Sequence, residues 1–456
     1  MNLKRILKYS LCGATALALL IGGASGSSAA KLPEQLPSYR TVTEVFDWGP
    51  SVSKLIVNLG TSLTSDQVDK STFKVYVRRV LAEGAMTPAE ASRQSSGGIN
   101  LGSESKSDSD LQGYRNVVNA YVSDADGNSV KRGNYVTIEM YVAPDDNLGA
   151  ALNFDLNTYF NNWVKSEYTI TLNKKLGSLK NIVIDNCRGD IRPIVDKFNF
   201  SHKIFDEWAS YAYASYEPKD NLKHPLIIWL HGLGEGGTDS PSLPIMGNKA
   251  DMFADESLQS HFDGAYVLVP QCRTFWMQGH SGLADGTSVY KESLMSLIKA
   301  YVAEHPNIDT DRIYLGGDSN GGYMTMVLVR DYPKYFAAAF PTCEALRNDL
   351  ISDADIRSIA QTPIWFTAAK TDLVVPPNDH VVPTVARLRA IGADVHFSYF
   401  DDVHDMSGLY KKSDGSAYEY PGHFSWIYVY NDQCEDIING KTVKLMDWLA
   451  AQKLQR

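Results

Sequence analysis

Two hydrophobic rhythms divide the chain. Between about residues 40 and 175, short segments rich in β-branched and aromatic residues alternate in part with polar ones: KLIVNLG (54–60), TFKVYVRRV (72–80), GYRNVVNAYVSD (113–124), YVTIEMYVA (135–143) and SEYTITLN (166–173). Side chains point to opposite faces along a strand, so this pattern predicts half-buried β-strands. DADGNS and APDDN supply turn chemistry between them, and no helical period intervenes. About seven short strands in such a length predict an immunoglobulin-like β-sandwich. DADGN has a partial likeness to a calcium loop, but it lacks the spaced later ligands and the closing glutamate, so it reads as a hairpin turn. The Ser-rich stretch TPAEASRQSSGGINLGSESKSDSD (87–110) breaks the strand pattern and predicts a long mobile loop.

After about residue 195 the rhythm changes. HPLIIWLHG, GAYVLVPQC, DRIYLGG, FAAAFPTC, TPIWFTAA and DVHFSYF are short apolar runs, the pattern of strands buried on both faces of a parallel sheet. Helical patterns lie between them. In YKESLMSLIKAYVAEHP the apolar Leu294, Leu297, Ile298 and Tyr301 fall at i, i+3, i+4 and i+7, and Pro306 ends the segment. TVARLRAIGA and TVKLMDWLAAQK predict further helices. Alternating strand and helix makes a doubly wound, mostly parallel α/β domain, whose chemistry sits at the carboxyl ends of its strands. The reading is therefore a sandwich over 31–190 followed by an α/β domain over 200–456.

Composition narrows the partners. The formal net charge is −10, which argues against nucleic acid or an anionic membrane surface. Residues 1–30 combine a basic start, MNLKRILK, with the apolar run LCGATALALLIGGASG and the small residues SSAA, the form of an export signal cleaved after Ala30. The run is short for a membrane span, so no stable anchor is expected after cleavage. Loss of Lys4, Arg5 and Lys8, with no acids lost, takes the charge from −10 to −13. A secreted or periplasmic protein is expected, and in an oxidising compartment Cys187, Cys272, Cys343 and Cys434 allow one or two disulfides. They have no metal-ligand spacing. No metal and no cofactor are implied.

The chemistry gathers around YLGGDSNGGYM (314–324). Gly317, Asp318, Ser319, Asn320 and Gly321 form G-x-S-x-G between a predicted strand and a predicted helix, the setting of a nucleophile elbow. The residues two before and two after the serine nearly touch across such a turn, which is why glycine is used despite its entropy cost. IIWLHGLGEGG (227–237) places a glycine loop directly after an early strand. It lacks the lysine and hydroxyl of a phosphate-binding P-loop. With the amide of Asn320, the amide of Leu233 is the expected oxyanion donor.

In this motif order an acid and then a histidine follow the serine. Asp372 stands just past the apolar strand of TPIWFTAAKTDLVVPP, with Asp401 and Asp402 in reserve. Four histidines follow it. His380 is near a helix start and His396 is inside a strand, whereas His404 and His423 both occupy the loop region before the last helix. Spacing alone slightly favours His404. Phe275, Trp276, Phe424 and Trp426 lie near these loops and are the candidate apolar pocket, although core packing is the commoner role for any one of them.

The set LHGLGEGG, GDSNGG, KTDLVVP, GHFSW and DWLAAQ resembles the polyhydroxybutyrate-depolymerase and feruloyl-esterase branch of the α/β hydrolases, and EVFDWGPSVSKLIVNLG resembles the immunoglobulin-like domain that precedes the catalytic domain of some secreted bacterial esterases. Together these cover nearly all of the chain after residue 30. Phe424 departs from many relatives, which bears on pocket shape. The resemblance implies a Ser319–Asp372–His423 triad, with His423 as base, and a serine carboxylesterase acting on short acyl or aryl esters, free or polymer-linked. The absence of an apolar lid insertion makes a long-chain lipase a poor fit. Two other classes stay open: a serine peptidase of the same fold, and a polysaccharide- or partner-binding protein with an inert hydrolase domain. The sandwich is expected to pack against the second domain or to mediate homo-oligomerisation.

Overall fold

The computed structural model describes residues 36–80, 111–155, 157–205, 210–238 and 240–454. The predicted export segment and the Ser-rich stretch 87–110 lie outside the described residues.

The N-terminal strands form two facing antiparallel layers. One sheet holds β1 (Ser38–Phe46), β2 (Gly49–Thr64), β5 (Val117–Ser123), β6 (Arg132–Met140) and β11 (Cys187–Ile191), in the order β11-β1-β2-β6-β5. Its one parallel pairing is β1 with β11. The other holds β3 (Phe73–Val80), β4 (Gln112–Arg115), β9 (Lys165–Leu172) and β10 (Val183–Ile184), in the order β10-β9-β3-β4. Along β3, Phe73, Val75, Val77 and Arg79 are buried while the residues between them are more exposed, the alternation of a strand with one face on the core. Leu55, Val57, Val75, Ile138, Tyr168 and Ile170 fill the space between the sheets. The DADGN segment is the predicted hairpin turn: Asp124 Oδ1 accepts from the amides of Asp126 and Asn128, both at 2.9 Å. A separate hairpin, β7 (Leu152–Asp155) and β8 (Phe160–Trp163), projects from this domain.

The second domain is built on an eight-stranded sheet. Two strands that the apolar-run pattern did not separate, β12 (Asn199–Ile204) and β13 (Ser210–Tyr216), join it antiparallel. The other six are parallel: β14 (His224–Leu230), β15 (Tyr266–Gln271), β16 (Ile308–Asp318), β17 (Ala338–Thr342), β18 (Ile364–Ala369) and β19 (Val395–Phe400). The order is β12-β13-β15-β14-β16-β17-β18-β19. β14 shows why a continuous apolar run is required. Leu226, Ile228 and Leu230 pack into the core on one face of the sheet, and Ile227 and Trp229 into the core on the other. The Lys291–Glu304 helix buries Leu294, Leu297, Ile298 and Tyr301, as its period predicts. TVKLMDWLAAQK splits instead: Lys441–Lys444 pairs in a short hairpin, and only Leu445–Ala451 is helical.

Cys187, Cys272, Cys343 and Cys434 are all free thiols, so none of the disulfides that their number allows is present among the described residues. Three of the four are buried in the second domain's core, where the sulfur packs as a small apolar group.

Candidate active site

β16 ends at Asp318 and a helix starts at Asn320, so Ser319 alone makes the turn. It has φ 54° and ψ −114°. A non-glycine residue there stores strain on the order of 1–3 kcal/mol. The flanking glycines are forced by contact. A Cβ on Gly317 would lie 2.7 Å from the backbone of Gly321, and one on Gly321 would lie 1.8 Å from the Leu230 carbonyl oxygen. The elbow is thus pressed against the end of β14, with the Ser319 amide donating to the Thr342 carbonyl at 2.9 Å.

Asp372 stands just beyond the end of β18 and is buried. Its Oδ1 accepts from the amides of Val374 and Val375, both at 2.9 Å. Its Oδ2 is left for one more donor, and that donor is His423 Nδ1, at 2.8 Å. On the other edge of the imidazole, Nε2 is 2.9 Å from Ser319 Oγ. The three side chains come from positions 319, 372 and 423 and form one continuous chain of hydrogen bonds. Gly422 lets the histidine turn approach the acid loop: a Cβ there would be 2.3 Å from the Thr371 carbonyl carbon. His404 sits elsewhere, bonded through Nδ1 to Asp402 and facing Tyr428. Asp401 bonds Lys370 at the surface. Neither reserve acid touches His423.

The glycine loop after β14 is held from below. The Cys272 amide donates to His231 Nε2 at 2.9 Å, so Nδ1 carries the proton and donates to the Gly232 carbonyl at 2.6 Å. Complete burial depresses the His231 pKa to about 4, so the ring is neutral. Asn320 Nδ2 also reaches the Gly232 carbonyl, at 3.4 Å, and Asn320 Oδ1 accepts from the Met277 amide at 3.0 Å. A trans peptide sends its N–H opposite to its C=O, so anchoring the Gly232 oxygen sets the direction of the Leu233 N–H. Asn320 opens its helix, where the first N–H groups have no intrahelical acceptor.

The pocket expectation needs correction at Trp276. This ring has no exposed surface and packs against Tyr211, His231 and Tyr290, because the loop carrying it folds back over the core. Trp426 is also buried. It meets His423 edge-to-face at 5.4 Å and stacks on Phe424 at 4.6 Å, so it supports the imidazole. Phe424 and Phe275 keep partial exposure.

Sequence reasoning missed a buried carboxylate cluster beneath the elbow. Asn248 Nδ2 donates to Asp318 Oδ2 at 2.8 Å and to Glu235 Oε2 at 3.2 Å, and Asn161 Nδ2 donates to Glu235 Oε1 at 2.6 Å. Burial pushes Glu235 up to about 7, and burial with the nearby Glu235 charge pushes Asp318 well above the carboxylate range. The available signal was an acid at each of two glycine-bounded loops, in LGEGG and GGDSNGG.

Residues 38–184 match the family described as the esterase Ig-like N-terminal domain, and residues 285–348 match the prolyl oligopeptidase family. The crystal structure of a thermostable esterase superposes with a TM-score of 0.70 at 23% identity, over 91% of this chain and 99% of that one. The second domain has the α/β-hydrolase fold, and the N-terminal domain matches the esterase Ig-like type. The chain is also 31% identical over 117 residues to feruloyl esterase B of Neurospora crassa, a match over 25% of this chain and 37% of that protein's length.

Proposed function

We propose that the protein is an exported serine carboxylesterase that cleaves short acyl or aryl esters through an acyl-enzyme. The observation that carries this reading is the bridge made by His423 between Ser319, at 2.9 Å, and Asp372, at 2.8 Å. Ser319 Oγ attacks the ester carbonyl while its proton passes to His423 Nε2. Asp372 holds the Nδ1–H tautomer and stabilises the imidazolium that forms. The amides of Asn320 and Leu233 receive the negative charge of the tetrahedral intermediate, each contributing about 3–4 kcal/mol. The proton on Nε2 then goes to the leaving alcohol, and a water activated by the same nitrogen hydrolyses the acyl-enzyme. The likeness to a feruloyl esterase and the partly exposed Phe424 and Phe275 support aryl esters as part of the substrate range. Residues 1–30 direct export in this reading.

The prolyl-oligopeptidase match over 285–348 favours a second reading, a serine peptidase of the same fold. Hydrolysis of p-nitrophenyl esters from acetate to palmitate, and of aminoacyl p-nitroanilides, separates the two. The esterase reading expects turnover of short esters that is abolished by Ser319→Ala and His423→Ala and kept by His404→Ala. Cleavage of anilides with no ester turnover would replace it with the peptidase.

A further inference from the structure

The glycine loop that carries Leu233 is held from one side by the N-terminal domain. The β7–β8 hairpin lays Asn161 across it: the Asn161 amide donates to the Gly234 carbonyl at 2.7 Å, and its Nδ2 donates to Glu235 Oε1 at 2.6 Å. Phe160 stacks on Phe275 at 5.2 Å, and Trp163 Nε1 donates to Ser240 Oγ at 2.8 Å. Gly234 admits this hairpin: a Cβ there would be 2.6 Å from Asn161 Nδ2, whereas one on Gly236 would meet both the Thr274 carbonyl oxygen, at 2.4 Å, and the Phe160 ring, at 2.5 Å. A second tie, Asp47 to Lys249 at 2.7 Å and to Asn431 at 3.0 Å, fixes the same domain against the segment that follows His423.

We infer that Asn161 is a positioning residue of the ester-cleaving site, through which the Ig-like domain sets the oxyanion loop. The inference rests on the esterase reading for its catalytic consequence. It does not rest on that reading for its geometry. Asn161 touches none of the reacting groups. Its backbone N–H fixes the Gly234 carbonyl, two peptide units beyond the one that carries the Leu233 N–H, and its side chain anchors Glu235, whose other oxygen leads through Asn248 to Asp318, the residue before the nucleophile. The Asn161 side-chain Nδ2 donates to a buried Glu235 oxygen, a bond for which alanine offers no replacement donor. Displacement of a positioned catalytic group by about 1 Å costs on the order of a hundredfold in rate.

The test uses the full chain with three changes: Asn161→Ala, Asn161→Asp, and Asn161→Asp combined with Glu235→Gln. The last restores a donor–acceptor pair with its polarity reversed. Two readouts are taken, kcat and KM on p-nitrophenyl butyrate and amide hydrogen exchange across 231–238. The expected result is a kcat at least about tenfold lower for both single variants, KM within about threefold of wild type, faster exchange in the loop, and recovery of most of kcat in the double variant. Wild-type kcat and unchanged loop exchange in Asn161→Ala overturn the inference, as does a double variant that folds and is no better than Asn161→Asp. If the wild type turns over no ester, the esterase reading has failed, and loop exchange alone decides the positioning: faster exchange in Asn161→Ala upholds it and unchanged exchange overturns it.

Discussion

Replacing Asp372 by asparagine tests the proposed mechanism at its most constrained point. Asp372 Oδ1 faces two amide donors, those of Val374 and Val375, and Oδ2 faces one imidazole nitrogen. An asparagine has one carbonyl oxygen to offer. With its NH2 toward Val374 and Val375, three donors would face one another with no acceptor, leaving two buried N–H groups unpaired at about 1–3 kcal/mol each. The side chain must therefore keep its oxygen on the two amides and turn its NH2 toward His423. Nδ1 then has to accept, the imidazole proton moves to Nε2, and a donor rather than a base confronts Ser319 Oγ. Shape and packing are unchanged, so the loss falls on the chemistry. The expected fall in kcat is about ten-thousand-fold, or about 5 kcal/mol of barrier. The assay is steady-state hydrolysis of p-nitrophenyl acetate and butyrate, with the rate of covalent labelling by a phosphonate ester as a second readout of Ser319. Thermal unfolding should stay within a few degrees of wild type. A folded Asp372→Asn protein that keeps a tenth or more of wild-type kcat would refute both the assigned tautomer and the role of the acid.

Other consequences follow from particular contacts. Gly422→Ala forces a Cβ to within 2.3 Å of the Thr371 carbonyl carbon, so the His423 turn must move away from the acid loop; kcat should fall by about a hundredfold, whereas Gly392→Ala, in open space but at φ 75°, should lower stability and leave kcat unchanged. Glu235 is raised from 4.5 to about 7, so the folded state binds the extra proton and stability falls as pH rises from about 4.5 to about 7, then levels off. Glu235→Gln should flatten that part of the denaturation-midpoint profile between pH 5 and 8, and a slope identical to wild type would contradict it. The four cysteines among the described residues are unpaired and only Cys187 of them is exposed, so in protein lacking residues 1–30 a thiol reagent should modify Cys187 in the native state and reach Cys272, Cys343 and Cys434 on unfolding, while a reductant should leave the melting temperature unchanged.

Much of this molecule is a local property of its sequence. Period-two segments such as 72–80 become one-face strands because alternation places every other side chain on the core. Runs such as 226–230 become central parallel strands because they have no polar face to give to water. The elbow is local as well: a serine at positive φ between a strand and a helix needs glycines two residues away on each side, and those glycines are legible at 317 and 321. Other features had no local signature. His404 and His423 occupy similar loops, and only the approach of the 422 turn to Thr371 brings one of them to Asp372. Trp276 looked like a pocket residue by its place near the loops, yet the fold buries it. The cluster of Asn161, Glu235, Asn248 and Asp318 draws on four separated segments, one of them from the other domain. Periodicity and turn chemistry act over a few residues, where backbone geometry alone relates side chains. Contacts between residues tens to hundreds of positions apart depend on sheet order, strand register and domain docking, which are settled only when the whole chain has packed.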